Sequence, residues 1–427
     1  MECRNSSLCI FDKEAFQTDF QGYQREKFFP SSPISGNSPI EFLINGSSEE
    51  YLDLNTIYVE LELKIVKKGG KAIAPADKVA LVNLPLSSIF SDVLLTVGTQ
   101  QIEGGDGCYP YKSYMSVLMN SHPAAQTTHM IPMGWIRDQA GRMDDEANTG
   151  LLARGKWTEK SKSCFFYGPL YLDFFRQNRK LISQTDVRLK FFRSKPEFCL
   201  MGHNSTSTDF HVNIKNMTLD VKRDLINPSV INGHASGLQS RNAIYPLHHT
   251  AINTFTISPG HTSFIKDNLF PSETPKLLLL GMVENEAFNG KLALNPFHFQ
   301  HFNMNKLALY VNGKSFPGRP FEPKFAEGNY LRDYVMTMDA FGYFNSDDTN
   351  GLTLKEFANG YTIYAFDLTP DHNAGGDTRY ANPAKGLRVE LGFETPLKDT
   401  INVILFALFS SDVEVTLLRD VITNYTK

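Results

Sequence analysis

Between residues 56 and 66, apolar Ile57, Val59, Leu61, Leu63 and Ile65 alternate with Tyr58, Glu60, Glu62 and Lys64. A period of two sends successive side chains to opposite faces, so this stretch predicts a strand with one face on a core. The alternation returns in residues 186–192 (Val187, Leu189, Phe191 against Arg188, Lys190) and, about 200 positions later, in 387–393 (Leu387, Val389, Leu391, Phe393 against Arg388, Glu390). A longer pattern also occurs twice. Residues 93–97 and 307–311 are β-rich runs that turn at Gly98 and at Asn312-Gly313, pass a Gly/Pro-rich loop, and enter a stretch of helical periodicity. Tyr111, Tyr114, Met115 and Leu118 carry that periodicity in the first copy, and Leu331, Tyr334, Val335 and Met338 in the second; both predict an amphipathic helix. The copies start 214 positions apart, about half the chain, so two similar domains in tandem are expected.

Further strands are predicted at 38–44, 79–84, 164–175 and 210–221 in the first half. In the last of these, the slip between the set Val212, Ile214 and the set Met217, Leu219, Val221 predicts a bulge. The second half offers 252–257, 276–283 (apolar on both sides), 298–311, 361–368, 401–410 and 413–418. Residues 121–163 break the pattern: they are polar, read as a long surface excursion, and have no counterpart in the second half. Each half thus has about eight short strands and one helix without βαβ alternation. The fold class is all-β: two tandem eight-stranded jelly rolls, each with a short flanking helix. The divisions are an N-terminal arm (1–35), a first jelly roll (36–225), a linker (226–242) and a second jelly roll (243–427). The arm, of mixed charge, either lies along its own domain or orders on a neighbouring subunit.

Composition supports this picture. The chain has 427 residues, 41% hydrophobic, with 32 Phe and 17 Tyr against 2 Trp, and 30 Gly with 22 Pro, as many short strands joined by turns require. A net charge of −4 gives no field to draw the protein to nucleic acid or an anionic membrane. Five cysteines (Cys3, Cys9, Cys108, Cys164, Cys199) form no CxxC pair, which fits a reducing compartment better than a disulfide framework or a zinc site. The N-terminal twenty residues are polar, so no signal peptide is expected, and no apolar run approaches a membrane span. The sequons at Asn45, Asn204 and Asn216 are therefore expected to be unused.

The candidate chemistry is thin. His248-His249 are adjacent and His298 and His301 three apart, so on strands each pair diverges and cannot chelate together. Asp144-Asp145-Glu146 reads as a solvated charge run. Glu284 and Glu286 follow a buried strand and would share a side of it if the strand continued, the minimum for glycoside hydrolysis. Residues 346–351 resemble a calcium loop, but with Gly351 in sixth place the twelfth is Phe357 and Glu356 falls one short. No nucleophile elbow, Walker A or dinucleotide motif occurs. No catalytic, cofactor-binding or metal residues are assigned, and the chain is read as a non-enzyme without cofactors.

One family brings these elements together. Glu50-Tyr51-Leu52-Asp53-Leu54 with the strand 56–66, residues 91–98 with the helix 109–120, and the replay at 307–339 resemble the double jelly-roll major capsid proteins of Polinton (Maverick) elements and of adintovirus-like and virophage-like viruses. The resemblance covers roughly residues 36–423. It implies homotrimers whose six jelly rolls make a pseudo-hexagonal capsomer of an icosahedral shell. Loops such as 121–163, 193–209 and 369–385 would form towers and clamps. Its implied partners are neighbouring capsomers, a penton-type minor capsid protein, a maturation protease and a packaging ATPase. No sequence-specific nucleic acid or membrane span is implied, and the location is the virion capsid, assembled inside the host cell in cytoplasm or nucleus. The other open reading is a two-jelly-roll carbohydrate-binding protein or glycosidase using acids such as Glu284 or Glu286. A host protein domesticated from such an element is a third.

Overall fold

The computed structural model describes residues 16–34, 36, 38–74, 77–203, 210–376, 378, 380 and 386–425. Cys3, Cys9, the first part of the arm and the sequon at Asn204 lie outside them. Of the twenty strands among the described residues, sixteen fall into two sets. The first is β1 (Phe20–Phe28), β2 (Ile40–Ile44), β3 (Tyr58–Lys67), β4 (Phe90–Val97), β5 (Gln100–Glu103), β6 (Cys164–Pro169), β7 (Val187–Arg193) and β8 (Phe210–Ile226). The second is β9 (Ala243–Ile257), β10 (Ser263–Lys266), β11 (Leu277–Glu284), β12 (Met304–Val311), β13 (Lys314–Phe321), β14 (Ile363–Asp367), β15 (Leu387–Phe393) and β16 (Ile401–Val415). Five helices matter below: α1 (Tyr109–Asn120), α2 (Thr149–Thr158), α3 (Pro228–Leu238), α4 (Leu331–Asp339) and α5 (Leu354–Ala358).

In the first half the strands pair in the orders β1-β8-β3-β6 and β2-β7-β4-β5, and in the second in the orders β9-β16-β11-β14 and β10-β15-β12-β13. Adding eight to each label of the first half gives the second. Both halves are therefore the same jelly roll, with antiparallel neighbours throughout. The alternation read in the sequence is what builds them: Val59, Leu61, Leu63 and Ile65 of β3 are all 0% exposed. The slip in β8 is a bulge, where its register against β3 shifts between Ile214 and Asn216. β11 is buried on both faces because Phe299 covers its outer side, so close that a Cβ on Gly281 would lie 2.5 Å from the ring.

Several expectations change. Residues 20–28, read as part of an arm, form β1, which pairs with β8 from Phe20↔Ile226 to Phe28↔Leu219 and is the edge strand of the first jelly roll. The stretch expected as a linker, 226–242, contains an eleven-residue helix, α3, capped by the Asn227 side chain. The two terminal runs are one strand, β16, paired with β9 along its whole length. Residues 193–203 are not a free loop: Leu200–His203 pairs with Lys78–Leu81. The corner helices also depart from their predicted faces. α1 is buried on every side, with only Asn120 exposed. In α4, Met338 of the predicted face is buried and Tyr334 packs against the core, but Leu331 is 57% exposed and Asp333 and Thr337 are buried in its place.

Replacing Leu61 by Ala should lower the unfolding free energy by about 2–5 kcal/mol. Replacing Glu62, next along β3 and in a partly exposed pair with Lys215 at 3.5 Å, should change it by less than about 1 kcal/mol. Chemical denaturation of the two variants checks the alternation.

Candidate functional site: the junction between the jelly rolls

The described residues bring the notable polar chemistry together where the halves meet, and the connection from β5 to β6 supplies most of it. Residues 121–163, expected to be a polar surface excursion, are instead packed: Met133, Trp135 and Met143 are buried, as are the charged Asp138 and Arg154. Arg154, on α2, donates through Nη2 to Asp138 Oδ1 at 2.6 Å, through Nε to Leu81 O at 3.0 Å and through Nη1 to Ile136 O at 2.7 Å. Both side chains of this ion pair are 0% exposed. Asn148 donates to the same carboxylate oxygen at 2.9 Å, while its own Oδ1 accepts from Gly150 N and Leu151 N and so caps α2.

The second half completes this network. Asn295 Nδ2 donates to Asp138 Oδ2 at 3.1 Å, and the Tyr361 hydroxyl donates to Asp138 O at 2.6 Å. Asp144, expected in a solvated run, accepts from Asn295 N at 2.6 Å and bonds His298 Nδ1. Its neighbour Glu146 remains an exposed partner of Lys78. Nearby, Arg137 donates to Gly351 O and Asn350 O, and Gln126 Nε2 also donates to Asn350 O. Gly351 has φ +70° and a Cβ there would lie 2.5 Å from Pro123, so only glycine lets the two loops close on each other. The segment that resembled a calcium loop is thus part of this contact, and Glu356 is used in a capping box with Thr353 at the start of α5.

Aromatic packing makes the second layer. Tyr114 of α1 stacks on Phe297 with centroids 4.1 Å apart and lies 5.3 Å from Trp135. Tyr111 stacks on Phe288 and donates to Pro296 O at 3.0 Å. Such pairs add about 0.5–1.5 kcal/mol each beyond the area they bury.

A second polar cluster lies on the other side of α1. Lys112 Nζ donates to Asp173 Oδ2 at 2.8 Å and to Glu103 Oε2 at 3.0 Å. Burial works to lower the Lys112 pKa, but the carboxylates of Asp173 and Glu103 outweigh it and hold the ammonium charged. Across the junction, Asp173 accepts from Thr250 N at 2.7 Å and from the Thr250 hydroxyl at 3.1 Å. His249 places Nδ1 3.9 Å from Asp173 Oδ2 and stacks on Tyr425 at 4.1 Å, whose hydroxyl donates to Ile102 O. Burial, aided by Lys112 and opposed by Asp173, pushes His249 down to about 4.

The other sequence candidates are not gathered into a site. Glu284 ends β11 and accepts from Gln300 Nε2 at 3.1 Å. The chain turns into a helix at Asn285–Asn289 instead of continuing as a strand, and Glu286 there pairs with Lys291. His301 stacks on Phe325 and accepts at Nδ1 from Asn303 N. Cys108, Cys164 and Cys199 are buried thiols, each pushed up to about 12 by burial. Sequence reasoning missed Asp138, Arg154 and Asn295. The run 130–136, MIPMGWI, was the available sign that the excursion has a core of its own.

No protein-family model matches the chain. An uncharacterised protein of Caenorhabditis elegans is 24% identical over 405 residues, which is 92% of this chain and 94% of that protein. Among solved structures, one from the Sputnik virophage has a TM-score of 0.67 at 13% identity, covering 99% of this chain and 92% of that one. The mavirus major capsid protein has a TM-score of 0.57 at 12% identity, covering 99% and 93%. The Faustovirus major capsid protein has a TM-score of 0.60 at 9% identity, covering 94% and 92%. These likenesses run through both halves, and the shared fold is the double jelly roll.

Two outcomes follow from the junction. Asp138→Ala strands the buried Arg154 charge and should destabilise the protein by about 3–5 kcal/mol, whereas Asp138→Leu with Arg154→Met should recover most of that loss; chemical denaturation reads both. His249 has an ordinary value of 6.5, so the unfolded chain takes up a proton there before the folded protein does. Stability should therefore fall as pH drops from 6.5 towards 4, and His249→Phe should flatten that part of the profile by up to about 3 kcal/mol.

Proposed function

We propose that this chain is a structural major capsid protein of the virophage and Polinton type. In this reading it trimerises into pseudo-hexagonal capsomers that tile an icosahedral shell. One observation carries it: two jelly rolls of identical strand order, fused in one chain and locked by a buried network centred on Asp138. Such a chain presents two similar barrels as one rigid unit, and three of them around an axis supply six. The named major capsid proteins of mavirus and Faustovirus share that fold across both halves. An animal relative spanning 92% of the chain suits an element carried in a genome.

The role is mechanical, with no substrate turned over. The Glu284 and Glu286 side chains, with separate partners, give the glycosidase alternative little support. A penton-type minor capsid protein, a maturation protease and a packaging ATPase are the partners such a shell needs. Its place is the virion capsid, assembled within the host cell.

Sedimentation equilibrium of the purified protein should give three times the 48.1 kDa chain mass, independent of concentration, and negative-stain images should show hexagonal outlines. A monomer at all accessible concentrations overturns the reading.

A further inference from the structure

One end of the molecule carries more exposed apolar surface than its fold uses. The start of β1, the end of β8, helix α3 and the start of β9 meet around an open groove of about 630 Å³. Its floor is apolar, formed by Ile182, Ile226, Val230, Leu238 and Tyr245. At its edge, Phe20 and Ile244 are each 45% exposed. Its rim is basic. Arg179 donates one Nη1 bond to Ile244 O at 2.6 Å, and neither Arg179 nor Arg241 has a carboxylate at ion-pair distance among the described residues. Arg419 Nε and Nη1 are buried without a hydrogen-bond partner among the described residues. Lys180, by contrast, is neutralised by Asp53 at 2.6 Å.

The chain's own N-terminal stretch has the complementary composition and is tethered at this end. Asn227 holds residues 18 and 19 at the lip of the groove, through its N to Asp19 O at 2.9 Å and its Nδ2 to Thr18 O at 3.1 Å. Two residues earlier, Phe16 is 86% exposed, so the backbone has already left its own surface there. Residues 8–16 read LCIFDKEAF: apolar Leu8, Ile10 and Phe11, then the acids Asp12 and Glu14 flanking Lys13, then Phe16.

We propose that this groove receives residues 8–16 of a second copy of the chain. Its apolar Leu8, Ile10 and Phe11 match the apolar floor, and its acids Asp12 and Glu14 match Arg179 and Arg241. The inference rests on the self-assembly reading above and adds to it a defined receptor for an exchanged arm. Each copy both gives an arm and receives one, the self-complementary economy of symmetric assemblies. The apolar contact is closed by charge-assisted bonds to arginine, the side chain best suited to carboxylates.

The test uses full-length protein with Phe11 replaced by the photo-cross-linker benzoylphenylalanine, prepared in heavy- and light-isotope forms and mixed before assembly. The expected result is heavy–light peptide pairs joining position 11 to residues 226–245. The double variant Arg179→Glu with Arg241→Glu should lose those pairs while keeping its circular dichroism and thermal unfolding. Cross-links found only within one isotopic form, or none reaching residues 226–245, overturn the proposal. Sedimentation of the unmodified protein separates the two failures. Association without these cross-links removes the groove alone, and absence of association removes the capsid reading with it.

Discussion

The Asp138 carboxylate is the point on which the junction depends. A charge without water is tolerated only when donors surround it, and here the donors come from separate parts of the chain. Arg154 lies on α2, Asn148 is that helix's cap, and Asn295 belongs to the second jelly roll. Tyr361, from just before β14, holds the backbone carbonyl of the same residue. Arg154 and Asn148 also bond within the first half, but the Asp138 carboxylate has its full set of donors only when the second half is in place. It links the orientation of the second barrel to the folding of an insertion in the first. Exposed pairs such as Lys78–Glu146 and Lys291–Glu286 impose no such condition, because water replaces either partner at little cost.

Internal duplication makes the asymmetry of the two halves informative. The same strand–loop–helix corner occurs twice, yet α1 is sunk between the barrels and α4 lies against one barrel with a face in solvent. Each buries a charged residue near its start. Lys112 of α1 is answered by Glu103 and Asp173. Asp333 of α4 is buried beside Tyr364 on β14, with Arg332 on its own helix, and burial pushes it up to about 6. The first corner has become the hinge plate of the molecule, with aromatic and ionic contacts to the other half. The second remains closer to an ordinary corner. The insertion after Asn120 accounts for the difference, since it fills the space beside α1 and carries Trp135 and Asp138 to the junction.

This division suits the proposed shell subunit. Rigidity is concentrated at the middle, where the halves share a core and two buried polar clusters. Unspent apolar and basic surface is left at one end, around α3 and the start of β1. A unit that must keep its own shape while joining copies of itself needs both properties in different places.

The amino-acid sequence determined the strands and their repetition. Alternation in β3, β7 and β15, the bulge in β8 and the two copies of the corner were all legible, because period and spacing are local properties that backbone geometry converts directly into faces. Jelly-roll class followed from counting strands around single helices. What could not be read was anything set by a partner distant in the chain. β1 looked like an arm because an edge strand needs no apolar alternation when its ladder to β8 does the work. Residues 121–163 looked like a solvated loop because Asp138, Arg154 and Asn148 are polar, and polarity marks exposure only until the groups find one another. The burial of α1 on all sides, the turn of α4 and the meeting of Asp138 with Asn295, 157 positions away, were decided by tertiary packing alone. Burial is a property of what surrounds a residue, and the surroundings come from the other half of the chain.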